Sequence, residues 1–222
     1  YPQAADLVEF WQRLRDGVNC VGEIPPQRWD WRTWFDAKKG RPGAMYSRWG
    51  AFLDDIDCFD SQFFRLSPLE AEGMDPQERL FLQYAHASVE DAGHTTQSLS
   101  PTRKVGVFVG VMNSTYGQQP SHWSIANRVS YTFDFLGPSL AVDTACSSSL
   151  TAVHLAMESL RSGSCDVALA GGVNLIIDPI QYLTLSAKGM LASDDRCKSF
   201  GDGADGFVDG EGVGCVVLRP LA

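Results

Sequence analysis

One cysteine stands where the sequence could support covalent chemistry. Cys146 follows the apolar run Ser139–Asp143 and precedes a helical pattern, Ser147–Arg161. A residue at the turn from a strand into a helix lies at the carboxyl edge of the sheet, where open α/β sheets bind ligands. The N–H groups and positive end of the helix can stabilise a thiolate, and the same backbone can donate to an oxyanion. The pattern therefore indicates a nucleophilic thiol, with small serines beside it that leave space for a substrate.

The alternative is that Cys146 is inert packing, because free cysteine is among the most buried residue types. A nucleophile also needs a base within about 3 Å, and His154 lies eight residues into the same helix, a rise of about 12 Å. We expect His154 to be a surface or satisfied histidine. His86 within a helix and His94 just after it are expected to be structural, and His122 to lie in a loop. The catalytic partners are therefore expected outside this chain.

Strands and helices alternate along the sequence. Apolar, β-branched runs predict strands at Val105–Met112, Ser139–Asp143, Asp166–Val173 and Gly212–Leu218. Helical patterns cover Ala5–Gly17, Asp75–Gly93, Ser147–Arg161 and Pro179–Ala187. The second of these helices has strong start signals, since an N-cap Asp is followed by Pro and, three residues after the cap, by Glu. This alternation predicts an α/β layered core with a mainly parallel sheet.

Two glycine- and aromatic-rich stretches are less regular. Residues 20–64 are rich in Trp, Phe, Pro and Gly without a sustained period. This predicts an irregular segment pinned by aromatic side chains over a core rather than a base-stacking platform.

Gly201–Gly206 spells G-x-G-x-x-G, but no helix follows it and its aspartates would repel a pyrophosphate. A calcium loop centred on Gly210 would place Phe207 and Val216 at ligand positions. A glycine-rich hairpin is the preferred interpretation.

Composition excludes several classes of protein. The 222 residues are 44% hydrophobic and 20% charged, values typical of a folded globular chain. A net charge of -9 disfavours nucleic acid and anionic membranes as partners, and no apolar stretch is long enough to cross a bilayer. The six cysteines are dispersed without a C-x-x-C pair, which predicts no metal site, no disulfide scaffold and a cytoplasmic location. A first residue other than Met, without a targeting pattern, suggests a piece of a longer protein.

Several motifs, in order and spacing, resemble those of one family. Val142–Leu150, which reads VDTACSSSL, resembles the nucleophile motif of β-ketoacyl synthases, specifically the ketosynthase domains of type I modular polyketide synthases. The supporting motifs are Met74–Arg79, Val105–Val111, Ile125–Tyr131, Ala170–Asn174, Arg196–Phe200 and Gly210–Gly214. The resemblance covers residues 1–222 but only about the first half of a family domain. It implies a partial ketosynthase domain that lacks the family's opening strand and its histidine-bearing C-terminal half.

The resemblance implies a thiolase-like fold, with layers in α/β/α/β/α order in the complete domain. Cys146 would take an acyl group from an acyl carrier protein, and decarboxylative Claisen condensation with a malonyl-type extender would follow. No resident cofactor is implied, since phosphopantetheine arrives on the carrier protein. Met112 and Asn113 fall where the family lines its acyl pocket. The expected partners are carrier protein, other domains of the synthase and a second copy, paired through the strand at Ser139–Asp143.

Departures from the family pattern leave other functions open. The two histidines that members use, one of them in a His-Gly-Thr-Gly-Thr-like motif, belong to the second half, and the 113–124 loop is shorter than usual. A ketosynthase-like domain that only transacylates, binds carrier protein or dimerises is therefore a second hypothesis. A cysteine hydrolase is a third, disfavoured because no base is visible. Without the remaining layers the sheet would keep exposed edges and apolar faces, so the isolated chain is expected to aggregate.

Overall fold

The computed structural model describes residues 1–117 and 121–221. The helices in that part of the chain are α1 (Leu7–Arg15), α2 (Pro68–Gly73), α3 (Pro76–Asp91), α4 (His122–Phe133), α5 (Ser148–Arg161) and α6 (Ile180–Ala187). The strands are β1 (Gly22–Glu23), β2 (Trp49–Ala51), β3 (Val105–Gly110), β4 (Ser139–Val142), β5 (Val167–Asn174), β6 (Asp209–Gly210) and β7 (Gly212–Leu218). The chain divides into two units, one formed by residues 1–54 and 175–212 and one by residues 55–174 and the chain from Val213 onward.

The second unit contains a four-stranded sheet in the order β4-β3-β5-β7. Strand β3 is central and runs parallel to both β4 and β5, with Val107 opposite Ser139 and Val105 opposite Val167. All four predicted strands are therefore present in one sheet, and the mainly parallel arrangement is confirmed.

Helices cover both faces of this sheet. On one face, α3 and α4 bury Phe81, Leu82 and Ile125 against the valines of β3. On the other face, α5 packs its alanines, Ala152 and Ala156, against Phe108 of β3 and the small residues of β5. Every residue of β3 is buried because it is enclosed from both sides, which is why its sequence is continuously apolar.

The first unit has a small sheet in the order β1-β2-β6 and a core rich in aromatic residues. Trp29 and Trp31 are buried there, and the Tyr182 hydroxyl of α6 donates to the Trp49 carbonyl oxygen at 2.8 Å. The irregular aromatic segment predicted for residues 20–64 is present. Helix α1 also forms, but none of its residues is buried, so its apolar side chains are exposed.

The sequence prediction was wrong in three places. No hairpin forms over residues 201–211, because β6 pairs in parallel with β2 instead of folding back on its own neighbours. His122 begins a helix rather than lying in a loop; the Ser121 side chain makes no cap hydrogen bond, and the left-handed residue at the end of α4 is Asp134 rather than the usual glycine. Helix α2 was not predicted, although Ser67 caps it by accepting from the Glu70 N–H.

Among the described residues, no helix has both the length and the apolar character needed to span a membrane.

Candidate active site

Cys146 lies in a tight turn between β4 and α5, with its side chain exposed. Ala145, the residue before it, has φ = 55°, which is the left-handed conformation that residues with a Cβ rarely adopt. The Asp143 carboxylate accepts from the Ala145 N–H at 2.9 Å. The Cys146 thiol makes no hydrogen bond to any residue that the structure describes. The turn therefore holds its backbone firmly while presenting a sulfur that a substrate can reach.

The three serines after Cys146 differ in their surroundings. Ser147 and Ser149 are exposed, but Ser148 is buried at 5% exposure. The Ser148 hydroxyl accepts from the Thr144 N–H at 2.9 Å and donates to the Ala145 carbonyl at 2.6 Å. The space that the sequence suggested for a substrate is therefore partly filled by Ser148. Because Ser147 makes no side-chain cap hydrogen bond, the positive end of α5 is not engaged by a capping side chain.

Two glycines allow the first turn of α5 to lie directly against the sheet edge. A Cβ on Gly110, the last residue of β3, would lie 2.4 Å from the Ser149 backbone nitrogen. A Cβ on Gly172 of β5 would lie 2.0 Å from the Ser149 hydroxyl oxygen. A side chain at Gly110 would displace the backbone of the helix, and one at Gly172 would displace the Ser149 side chain. Sequence reasoning missed both residues, and the signal available was a glycine inside an apolar strand, which often marks a close approach of backbone.

Met112 and Asn113 follow β3 at the same sheet edge as Cys146. The Val111 N–H donates to the Val142 carbonyl at 3.1 Å, so β3 and β4 end side by side. An open cleft of about 480 Å³ lies here, lined by residues 112–115 and 121–123. Met112 is 37% exposed in this cleft. The two predicted pocket residues therefore lie at the same edge as the thiol; residues 118–120 of the short 113–124 loop are outside the described part of the chain.

The start of α3 fixes the segment that lines the cleft. The Gln77 side-chain amide donates to the Asn113 carbonyl at 2.6 Å, and the Ser114 hydroxyl donates to the Asp75 carboxylate at 2.5 Å. Asp75 also accepts from the Gln77 N–H at 2.8 Å, as the predicted N-cap. The segment after β3 is thus held by side chains of a neighbouring helix.

A buried ion pair joins α3 to α4 beside the cleft. Glu78, 4% exposed, accepts from the Arg128 Nε at 2.9 Å and from the Ser124 hydroxyl at 2.7 Å. Glu70 accepts from another nitrogen of the same guanidinium at 2.7 Å. Burial lowers the pKa of Arg128, but hydrogen bonds with Glu78 and Glu70 raise it above its ordinary value. This pair stabilises the framework around the cleft, and its carboxylate is occupied by donors.

The structure places the four histidines on helices and at a helix end. His154 is exposed on α5, as predicted. His86 packs edge-on against Phe63 with ring centroids 5.0 Å apart, and His94 lies within hydrogen-bond distance of an Arg219 nitrogen. His122 is the first residue of α4, at the rim of the cleft. Among the described residues, the structure gives no contact between any of these rings and the Cys146 thiol.

The remaining cysteines have different surroundings from Cys146. Cys165 is buried, and burial raises the pKa of Cys215 to about 11. Cys197 is exposed, but its sulfur accepts from the Val208 N–H at 3.1 Å. Among the described residues, no group of three or more His, Cys, Asp or Glu side chains is arranged to hold a metal ion.

The glycine-rich stretch Gly201–Gly206 lacks the following helix that a phosphate-binding loop of this spacing uses. The chain continues from it into β6 rather than into a helix. The Asp205 carboxylate accepts from the Ser193 hydroxyl at 2.6 Å and pairs with Lys39 at 3.2 Å. These two interactions, the hydrogen bond from Ser193 first, lower the pKa of Asp205. A negative charge at this position would repel a pyrophosphate, as the sequence indicated.

Comparisons with known proteins agree with this geometry. The model of the family "Beta-ketoacyl synthase, N-terminal domain" matches residues 1–222. Polyketide synthase PksM from Bacillus subtilis (strain 168) is 62% identical over 221 residues, which is 100% of this chain and 5% of PksM. Polyketide synthase ThaG from Burkholderia thailandensis is 52% identical over 235 residues, 100% of this chain and 4% of ThaG. The chain thus spans about one twentieth of the length of these relatives.

Solved structures are similar over the whole chain. The ketosynthase domain OzmH KS7 of oxazolomycin biosynthesis, from Streptomyces albus JA3453, has a TM-score of 0.95 and 48% identity, covering 99% of this chain and 40% of that domain. A cysteine-to-serine mutant of the ketosynthase from module 6 of the bacillaene synthase of Bacillus subtilis 168 has a TM-score of 0.94 and 41% identity. The match covers 100% of this chain and 39% of that chain. These matches confirm the thiolase-like α/β fold. The chain belongs to the β-ketoacyl synthase family, within its N-terminal domain and among the ketosynthases of modular polyketide synthases.

Proposed function

We propose that this chain carries the nucleophile of a polyketide-chain-elongating ketosynthase. Cys146 accepts an acyl group from an acyl carrier protein, and the bound acyl chain is then condensed with a malonyl-type extender on a second carrier protein. The observation that carries this proposal is the exposed thiol on a pinned turn at the carboxyl edge of the parallel sheet. That position combines access for a thioester with the N-terminal end of α5, whose dipole favours negative charge.

The loading step exchanges one thioester for another. The Cys146 sulfur attacks the carbonyl carbon of the acyl thioester, and the bond from that carbon to the sulfur of the carrier's phosphopantetheine breaks. The proton lost from Cys146 leaves with the carrier's thiol. The carbonyl oxygen becomes negative in the intermediate, where the Cys146 N–H is one proposed donor to it. Phosphopantetheine is therefore part of the substrate, and the chain itself needs no resident cofactor.

The condensation step forms the carbon–carbon bond. Loss of carbon dioxide from the malonyl group leaves an electron pair on the adjacent carbon, and that carbon attacks the Cys146 thioester carbonyl. The bond to the Cys146 sulfur breaks, which regenerates the thiolate and releases a β-ketoacyl product on the carrier protein. The four histidines of this chain are not placed to assist. We therefore propose that the two histidines of the family, together with the second oxyanion donor, come from the other half of the domain.

The cleft after β3 is the proposed site of the acyl chain. Its position at the sheet edge that carries Cys146, and the half-exposed Met112, support an apolar substrate lying along residues 112–113. The Asn113 backbone is fixed by Gln77, so the wall of the cleft is held in one place.

Homodimerisation through β4 is the proposed assembly. Strand β4 is at the edge of the sheet order, and Leu140 within it is 44% exposed. An edge strand with an exposed apolar side chain can pair with a second strand. The other domains of the synthase are further proposed partners, and a cytoplasmic location is proposed for the assembly.

Acyl transfer to Cys146 in the full-length protein tests the proposed function. The protein is incubated with carrier protein that bears an acyl thioester, and the acylated peptide is identified by mass spectrometry. We expect acylation at Cys146, its loss in Cys146→Ala, and its retention in Cys58→Ala, which removes another exposed thiol as a matched control. Acylation of the Cys146→Ala variant would refute the assignment.

Addition of malonyl carrier protein then separates elongation from the alternative function. A β-ketoacyl product with release of carbon dioxide is expected of an elongating ketosynthase. Acylation of Cys146 without this product would assign the protein to the non-elongating ketosynthase-like domains. Release of free acid in place of either would indicate a hydrolase.

A further inference from the structure

Side chains engage the N–H and carbonyl groups of Thr144 and Ala145, the two residues before the nucleophile. The Thr144 N–H donates to the Ser148 hydroxyl at 2.9 Å, and the Thr144 carbonyl accepts from the Ser147 hydroxyl at 2.8 Å. The Ala145 N–H donates to the Asp143 carboxylate at 2.9 Å, and the Ala145 carbonyl accepts from the Ser148 hydroxyl at 2.6 Å. We refer to Asp143, Ser147 and Ser148 as the turn clamp.

The turn clamp acts where the backbone is strained. Ala145 has φ = 55°, and without compensating contacts a residue with a Cβ would leave this left-handed conformation. Ser148 contributes two of the four side-chain hydrogen bonds, one with the residue before Ala145 and one with Ala145 itself. It is also buried, and it belongs to the first turn of a helix that Gly110 and Gly172 allow to lie tightly against the sheet. Ser148 is therefore a rigid support for the peptide that leads into Cys146.

We propose that the turn clamp positions Cys146 for acyl transfer, with Ser148 as its principal positioning residue and Asp143 as the second. This inference rests on the proposed function of Cys146. The clamp residues contact the backbone and not the substrate, so they act by fixing the direction of the Cys146 sulfur and of its N–H group. Relaxation of the turn would misalign both groups with a thioester carbonyl while leaving the thiol exposed.

Ser148→Ala in the full-length protein is the first test. Because small errors in alignment strongly reduce reaction rates, we expect acylation of Cys146 at saturating acyl carrier protein to slow by about tenfold, with KM for the carrier within about twofold of wild type. Alkylation of Cys146 by iodoacetamide does not need this alignment and should stay within about twofold of wild type. If Ser148 contributed only to stability, its loss would not slow acylation of Cys146 while leaving alkylation of Cys146 unchanged.

Ser159→Ala is the matched control for loss of a buried serine from the same helix. The Ser159 hydroxyl is buried and accepts from the Cys165 thiol at 3.3 Å, eleven residues along α5 from Ser148. We expect this variant to acylate Cys146 at the wild-type rate, whatever its effect on the melting temperature.

Asp143 supplies a second, independent test. Asp143→Asn keeps an oxygen that can accept from the Ala145 N–H, whereas Asp143→Ala removes it. We expect acylation near the wild-type rate in Asp143→Asn and a loss of about fivefold in Asp143→Ala, as one hydrogen bond of ordinary strength predicts. Because Asp143 is exposed, this pair of variants keeps the proposal testable even if Ser148→Ala does not fold.

Three results would overturn the proposal. One is wild-type acylation in Ser148→Ala. Another is equal slowing in Ser148→Ala and Ser159→Ala, which would reflect stability alone. The third is equal slowing in Asp143→Asn and Asp143→Ala, which would assign the effect to charge. Failure of the wild-type protein to acylate Cys146 is a different outcome, since it refutes the proposed function itself.

Discussion

Gly110→Ala tests whether the sheet edge sets the position of the nucleophile. The new Cβ would lie 2.4 Å from the Ser149 nitrogen and 2.6 Å from the Ser148 carbonyl carbon, where 3.4 Å or more is ordinary contact. Both neighbours are backbone atoms, so no rotamer change can relieve the overlap. The first turn of α5 must then move by about 1 Å, and a displacement of that size can cost about 100-fold in rate. Overpacking of this kind also destabilises by about 1–3 kcal/mol.

The assay compares acylation of Cys146 and urea unfolding in the full-length protein. Gly73→Ala is the matched control, because a Cβ there meets no atom within 4 Å and its φ is not positive. We expect acylation to fall by about 100-fold in Gly110→Ala and to be unchanged in Gly73→Ala. The loss in Gly110→Ala should be far larger than the fraction of unfolded protein calculated from its urea unfolding curve. Wild-type acylation in a folded Gly110→Ala variant would refute the argument that close backbone packing places the thiol.

Further predictions concern buried and exposed charges. Glu211→Gln removes a buried charge that faces the partly buried Arg28 guanidinium at 3.0 Å, so unfolding in urea should show a loss of about 3 kcal/mol; an unchanged midpoint would contradict this. Because burial raises the pKa of Cys215 to about 11, iodoacetamide at about pH 8 should spare it in the folded protein while labelling the exposed cysteines; its early labelling would contradict its burial. The hydrogen bond from the Ser193 hydroxyl is the main reason that the pKa of Asp205 is lowered. The stability that the ionised Asp205 carboxylate contributes is therefore present above about pH 4 and is lost as the pH falls. Asp205→Asn should remove that acid dependence of unfolding, and identical pH profiles for the variant and the wild type would contradict it.

The sequence predicted the elements whose burial is continuous. Strand β3 is enclosed on both faces, so its apolar run is unbroken and its existence could be inferred without knowing its neighbours. Helix α3 carried its own start signals in Asp75, Pro76 and Glu78, and the first of these does cap the helix. The place of Cys146 between a strand and a helix could be predicted for the same reason, since both elements flank it closely in sequence.

Features that depend on distant parts of the chain could not be predicted. Helix α4 lacks a side-chain cap and a glycine stop, and is stabilised by packing of Ile125 and Val129 against elements elsewhere in the chain. Strand β6 pairs with β2, more than 150 positions earlier, so its local glycines suggested the wrong hairpin. The burial of Ser148 follows from contact of α5 with the sheet, and three consecutive serines in a sequence do not show which one turns inward.

The family motifs combine two physical roles that a sequence match does not separate. Glu78 and Glu211 are the glutamates of two such motifs, and both are buried. Glu211 accepts from the guanidinium of Arg28 and from the N–H groups of Leu53 and Ile176, just as Glu78 accepts from an arginine and a serine. The oxygens of both carboxylates are thus occupied by donors that belong to the fold.

The motif around Cys146 has the opposite character. There the side chains of neighbouring residues satisfy the backbone and leave the reactive group itself exposed and free of hydrogen bonds to the described residues. The two kinds of motif thus differ in where the hydrogen bonds end. They end on the side chains of Glu78 and Glu211, whereas beside Cys146, the proposed nucleophile, they end on the adjacent backbone.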